Sequence, residues 1–270
     1  MEHTGALSMK PSALILQAYG TNRDRDAAEA FALAGAIPEI VPLTALRRGQ
    51  RRFADYAILV LPGGFSYADA LGAGKLLAVD LQAFFHDQLE AFVDRGGPVI
   101  GICNGFQALV KAGILPGQAS ADRPDGVSST LTNNDSGQFE CRWIRMQPVS
   151  QACLWTRGLR QAVACPVAHG EGKFLTADRS LLARLQERDQ IAFTYLDQGG
   201  NPAGGAYPHN PNGSQSDVAG ICNQAGNVLG LMPHPENHIH AWQHPQWSRG
   251  ICEGNGMGVF RNGVRYAEVN

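Results

Sequence analysis

The feature that most restricts the fold is the alternation, early in the chain, of short branched apolar runs with alanine-rich stretches. Residues 13–18 (Ala13-Leu-Ile-Leu-Gln-Ala18) read as a strand, 26–34 as a helix closed by Gly35, and 39–43 as a second strand. Residues 56–61 read as a third strand and 99–102 as a fourth, with valine and isoleucine suited to cover on both faces. Strand, helix, strand at this spacing demands right-handed crossovers. It predicts an α/β fold with a doubly wound, mostly parallel sheet and flanking helices. Ligands bind such sheets at the carboxyl ends of the strands, so the motifs to weigh are those that stand there.

The fourth strand runs directly into Cys103, between Gly101 and Gly105, and Phe106, Leu109 and Val110 follow at helical spacing before Gly113. A residue at that corner meets the outward-pointing N–H groups of a helix amino end, and the helix dipole favours a thiolate there. A buried structural thiol fits the same residues. The third strand ends in Pro62-Gly63-Gly64-Phe65-Ser66-Tyr67. Paired glycines can bring backbone N–H groups close to a bound group, although they serve an ordinary turn equally well. A phosphate loop is excluded, because its pattern needs glycine where Asp69 stands and Ser or Thr where Leu76 stands. Residues 217–222 and 227–232 read as a hairpin whose second strand ends in Pro233-His234-Pro235-Glu236. An imidazole fixed between prolines, with a carboxylate two positions on, suits a general base oriented by an acid, or a surface turn. Cysteine, histidine, acid is one of the chain orders that triad geometry permits.

Between these corners lie a loop at 117–129, a polar stretch at 132–143 leading into a strand, and a second apolar-to-glycine corner at 165–174 carrying His169 and Glu171. A helix at 180–187 and a strand at 191–195 follow. Residues 1–12 read as a flexible tail and 13–270 as one domain. A net charge of -2 and a pI near 6.4 give no basic footprint for nucleic acid. No apolar run approaches the roughly 20 residues that span a bilayer, and the start lacks a signal peptide's apolar core, so a cytoplasmic protein without a membrane partner is expected. The six cysteines form no C-x-x-C pair; they are expected to be free thiols, and no metal site is expected.

Taken together, Pro62-Gly-Gly64, Gly101-Ile-Cys-Asn-Gly-Phe-Gln107 and His234-Pro-Glu236 resemble the signatures of class I glutamine amidotransferases, which have a flavodoxin-like fold. Gly63-Gly-Phe-Ser-Tyr67, Ser136-Gly-Gln-Phe-Glu-Cys-Arg-Trp143, His169-Gly-Glu-Gly172 and Asn210-Pro-Asn-Gly-Ser214 are similar to the glutaminase components of phosphoribosylformylglycinamidine synthase, and the likeness spans roughly residues 13–240. The resemblance implies glutamine as substrate, Cys103 as nucleophile, His234 as base and Glu236 as the acid that orients it. It implies an oxyanion hole from the backbone N–H groups of Gly64 and Asn104, and substrate contacts from Phe65, Gln107, Gly170 and Glu171. No cofactor is implied for this chain. ATP and magnesium are expected on a synthetase partner that binds formylglycinamide ribonucleotide, with a small third subunit alongside, and residues 66–75 and 169–174 are the candidate contact loops. A class I glutaminase of another pathway, or an inactive partner-binding scaffold, remains an alternative.

The chain departs from the family pattern in three places. Ala68 stands where glycine is usual, Asn237 stands where arginine commonly follows the histidine motif, and an extended segment at 238–270 carries His238, His240 and His244. That segment reads as a polar aromatic surface stretch.

Overall fold

The computed structural model describes residues 10–117, 129–250 and 255–270. In chain order the first half runs β1 (Ser12–Gln17), α1 (Asp24–Ala34), β2 (Ile37–Pro42), α2 (Leu43–Arg47), β3 (Ile58–Leu61), α3 (Lys75–Phe84), α4 (His86–Asp94), β4 (Val99–Ile102) and α5 (Asn104–Lys111). The second half runs β5 (Ser129–Thr132), β6 (Glu140–Pro148), β7 (Val163–His169), β8 (Lys173–Thr176), α6 (Arg179–Glu187), β9 (Ile191–Leu196), β10 (Val218–Cys222), β11 (Val228–Leu231) and α7 (Met257–Val269). Nine strands form one sheet in the order β2-β1-β3-β4-β11-β10-β9-β6-β7, while β5 and β8 pair separately. From β2 to β11 neighbours are parallel, and from β11 to β7 each neighbour is antiparallel.

The parallel half is wound as its sequence predicts. Every residue of β3 and β4 is buried, as an uninterrupted apolar run between two helix layers requires. α1 carries the chain from β1 to β2 at one edge, whereas α3 and α4 carry it from β3 to β4 in the other direction. Right-handed crossovers in opposite directions put these helices on opposite faces. Phe31 of α1 meets Phe260 of α7 edge to face at 5.3 Å, and Trp155 packs edge-on to Phe31 at 6.4 Å. On the other face α5 packs beside α3.

Several sequence expectations change at their edges. β1 starts at Ser12, and Pro11 before it is buried with its carbonyl accepting the Ile37 amide; residues 1–9 of the expected tail lie outside the described residues. Most of the expected 117–129 loop and Cys252 also lie outside them. Cys103, Cys141, Cys153, Cys165 and Cys222 are free thiols. The helices α3 and α4 were not anticipated. Nor was α7, whose Met257, Phe260 and Val264 are buried, so the end of the chain is a packed helix rather than a surface stretch.

Glycines set how closely α5 rides on the sheet. A Cβ on Gly105 would lie 1.9 Å from the Leu61 carbonyl oxygen, and one on Gly230 would lie 2.0 Å from the Phe106 ring. Lifting α5 would displace the residue at its amino end, Cys103. Gly105→Ala is therefore expected to cost about 1–3 kcal/mol of stability, measured by urea unfolding, through overpacking against backbone that cannot yield.

Candidate active site

Cys103 sits at the junction of β4 and α5 with φ 50 and ψ -103, a left-handed backbone rare for a residue with a side chain. Its amide donates to Leu231 of β11 at 2.8 Å, and its carbonyl accepts from Gln107 at 3.0 Å as α5 begins. The turn is thus held from both sides. It presents the sulfur at the carboxyl edge of the sheet, buried, 3.6 Å from the Ala168 carbonyl oxygen at the end of β7.

His234 stands beyond β11, its amide donating to Pro166 at 2.9 Å. Pro235 opens a single helical turn that brings Glu236 back under the ring, where Nδ1 meets Glu236 Oε1 at 2.6 Å with both side chains buried. Burial alone would push the imidazole pKa down. The Glu236 carboxylate, and next the Cys103 sulfur, outweigh that and raise it to about 10. The ring therefore carries a proton at neutral pH, beside the sulfur. Gly63 makes this packing possible, because a Cβ there would lie 2.6 Å from His234 Cε1. The sequence reading placed Gly63 in a paired-glycine turn and did not anticipate its packing under His234.

Gly64 has φ 144, and a Cβ on it would come within 2.7 Å of the Asn22 amide nitrogen and 2.9 Å of the Gly20 carbonyl oxygen. The loop is stitched to the turn after β1, with Phe65 donating to Gly20 at 2.9 Å and Arg23 donating to Gly63 at 3.2 Å. Asn104 lies in the first turn of α5, where N–H groups lack helical partners. Its side chain collects the neighbouring loops: Oδ1 accepts from Ser66 at 3.2 Å, and Nδ2 donates to Asp69 and Gln107 at 3.1 Å each.

Gln107 and Glu171 are engaged within the chain. Gln107 Nε2 donates to the Glu171 carbonyl at 2.6 Å. Glu171 Oε1 accepts from Ala73 at 3.1 Å, and Oε2 lies 3.5 Å from Lys111 Nζ. The two loops expected to meet a partner thus lie side by side. Burial, and then the nearby Glu171 charge, push the Asp69 carboxyl pKa up. Phe65 and Phe139, ring centroids 6.1 Å apart and both exposed, form a rim beside Gly170.

The three departures have structural accounts. Tyr67, Ala68 and Asp69 all take positive φ, at 55, 54 and 52, so alanine does not keep the loop out of the left-handed region. Tyr67 is anchored there by its hydroxyl on Asp80. Asn237 Nδ2 donates to Asp26 at 2.9 Å, tying the segment after Glu236 to α1. The expected surface histidines divide: His238 and His244 are buried against Trp143, with ring centroids 5.1 and 5.0 Å from it, while His240 stacks on Trp242 at 3.9 Å. Among the described residues no group of three His, Cys, Asp or Glu side chains is arranged to hold a metal.

A buried thiol on a strained elbow, beside a protonated imidazole braced by a carboxylate, is an arrangement suited to acyl transfer. Residues 10–267 match the family of CobB/CobQ-like glutamine amidotransferase domains. The chain belongs to that family. A subunit named PurQ of phosphoribosylformylglycinamidine synthase from Treponema denticola is 55% identical over 241 residues, covering 86% of this chain and 89% of that protein. The subunit of the same name from Dehalococcoides mccartyi is 42% identical over 262 residues, covering 96% and 98%. Among solved structures, a chain of PurLQS from Thermotoga maritima aligns with a TM-score of 0.71 at 28% identity, covering 96% of this chain and 99% of that one. A further Thermotoga maritima glutamine amidotransferase, 15% identical with a TM-score of 0.55, shares the fold.

The amidotransferase's buried imidazole has a signature in solution. The unfolded chain releases the His234 proton near pH 6.5, whereas the folded chain keeps it to about pH 10. Between those values the native state binds more protons, so this contribution is fully present below the lower value and is lost as pH rises through the upper one. Stability from urea titrations is expected to fall from pH 7 toward pH 9, and His234→Gln is expected to make that fall shallower than in the unaltered chain.

Proposed function

We propose that this amidotransferase is the glutaminase subunit of a phosphoribosylformylglycinamidine synthase, hydrolysing glutamine to glutamate and ammonia for a synthetase partner. The observation that carries the reading is the buried His234–Glu236 pair, joined at 2.6 Å and set beside a cysteine on a strained elbow. The names of the relatives direct it to purine synthesis.

In this reading Cys103 Sγ, with the proton already on His234, attacks the side-chain carbonyl carbon of glutamine. The developing oxyanion is met by the N–H groups of Gly64 and Asn104. His234 gives its proton to the departing nitrogen, so ammonia leaves and a glutamyl thioester remains on Cys103. Water, deprotonated by His234, then attacks the thioester; glutamate departs, the Cys103 sulfur is freed, and the proton taken from water leaves His234 protonated beside it as at the start. Glu236 holds Nδ1 and stabilises the charged ring throughout. Phe65 and Gly170 line the approach, while Gln107 and Glu171 contribute chiefly by fastening the loops on either side. No step calls for a cofactor on this chain.

Ammonia has value only beside an activated acceptor. We assign that step to a synthetase subunit of the kind named in the PurLQS assembly, with ATP and magnesium bound there, converting formylglycinamide ribonucleotide to the amidine. A small third subunit completes the complex. Residues 66–75 and 169–174 form the proposed contact, where Leu71 is 85% exposed and the Phe65–Phe139 rim adjoins it. Among the described residues no helix is long and apolar enough to cross a membrane, and a cytoplasmic location accompanies the proposed pathway.

A glutamine-analogue electrophile is expected to label Cys103 in the complex with synthetase. Cys103→Ala should abolish both labelling and glutamine-dependent synthesis, with a loss of at least about a thousandfold, yet leave ammonia-dependent synthesis intact. Glutamine hydrolysis that survives Cys103→Ala would refute the assignment, and an inactive scaffold would show no labelling in the unaltered chain.

A further inference from the structure

A second buried histidine lies close to the first. His169, at the end of β7, is enclosed by two asparagines to which the sequence reading assigned no role, Asn134 and Asn212. Asn134 spends its Nδ2 on the carbonyls of Gln138 at 2.9 Å and His169 at 2.8 Å, which turns Oδ1 toward the Gly172 amide at 3.0 Å and His169 Nδ1 at 3.2 Å. Asn212 is fixed in the opposite sense. Its Oδ1 accepts from the Ser214 amide at 3.1 Å and hydroxyl at 2.7 Å, so Nδ2 faces the Tyr195 hydroxyl at 3.0 Å and His169 Nε2 at 3.4 Å. An oxygen opposite Nδ1 and an NH2 group opposite Nε2 leave room for one ring proton, on Nδ1.

We propose that His169 is a positioning residue, held by Asn134 and Asn212 as the neutral Nδ1–H tautomer so that it braces the substrate-side turn without adding a second positive ring beside His234. The bracing is direct. A Cβ on Gly172 would lie 2.3 Å from the His169 ring, so the turn folds flat onto the imidazole. On one side of the ring the Ala168 carbonyl touches Cys103 Sγ, and on the other the Glu171 carbonyl receives Gln107. Neutrality follows from the surroundings. Burial, then the charge of His234, lower the His169 pKa to about 3. Of the ionisable groups nearby, Glu140, opposite His169 in the β6–β7 register, is paired with Arg142 at 2.7 Å and Ser136 at 2.8 Å, Asp135 is bound to Lys173, Glu171 lies 3.5 Å from Lys111, burial keeps the Tyr195 hydroxyl protonated, and the Cys103 sulfur lies 3.6 Å from the Ala168 carbonyl.

The inference rests on the amidotransferase reading for its consequence, but its first test does not. Nitrogen-detected NMR of the full chain is expected to give His169 a single neutral Nδ1–H signature from about pH 8 down to about pH 5. An Nε2–H tautomer, or titration near the ordinary histidine value, would overturn the proposal. Asn212→Asp puts an anionic acceptor at Nε2, and His169 should then be doubly protonated at neutral pH. The added carboxylate offsets most of that ring charge, so the basic limb of glutaminase kcat/KM, measured in the assembled synthase, should move by less than about one unit while the His169 signature itself changes. A His169 that stays singly protonated in Asn212→Asp would contradict the assignment of its tautomer to these two asparagines. Failure of the functional reading registers separately, as an unaltered chain that does not hydrolyse glutamine in the complex.

Discussion

The close approach of α5 to the sheet is the constraint on which the rest of the site depends. Cys103 can occupy its strained elbow only if the helix that follows lies hard against β3, and Gly105 against the Leu61 carbonyl permits that contact. From this placement the other parts acquire their positions. The Asn104 side chain reaches Ser66 and Asp69, Gln107 reaches Glu171, and Glu171 reaches Ala73 and Lys111. The loops after β3, β4 and β7 are therefore one fastened unit, and strain at the elbow is held by contacts on every side.

Charge is managed as tightly as shape. One buried histidine is given a carboxylate at 2.6 Å and so retains its proton, while the other is given two amides and so remains neutral. Both are buried to a similar degree, so the partner and not burial decides the outcome. Had both rings been charged, each would have disfavoured the proton on the other, and the imidazolium proposed to protonate the leaving ammonia would be scarcer at neutral pH. Cys165, behind the pair, follows the same logic: burial and then the Glu236 charge push its thiol up, so it stays uncharged.

Much of this was legible in the chain because it is encoded locally. The branched runs of β1, β3 and β4, the cysteine between Gly101 and Gly105, and the histidine between prolines each announce themselves within a few residues, and the strand–helix alternation orders them on one sheet edge. What escaped reading was tertiary. Gly63 looks like half of a turn until His234 packs over it, and Asn134 and Asn212 look like loop residues until β7 brings His169 between them. The histidines near the end were read as surface residues because nothing in their spacing shows that Trp143 covers two of them. The α7 helix was within reach, since Met257, Phe260 and Val264 fall on one helical face, but glycines and polar residues among them weaken the signal.

The central claim is that Cys103 carries the glutamyl group in a thioester while His234 manages the proton. Rapid acid quenching of the synthetase complex during glutamine turnover, followed by peptide mass analysis, tests it most directly. A mass increment of one glutamyl group on the peptide containing Cys103, absent in Cys103→Ala, is the predicted result. Glutamate formation with no such adduct under conditions that preserve thioesters, or an adduct on any other residue, would contradict it.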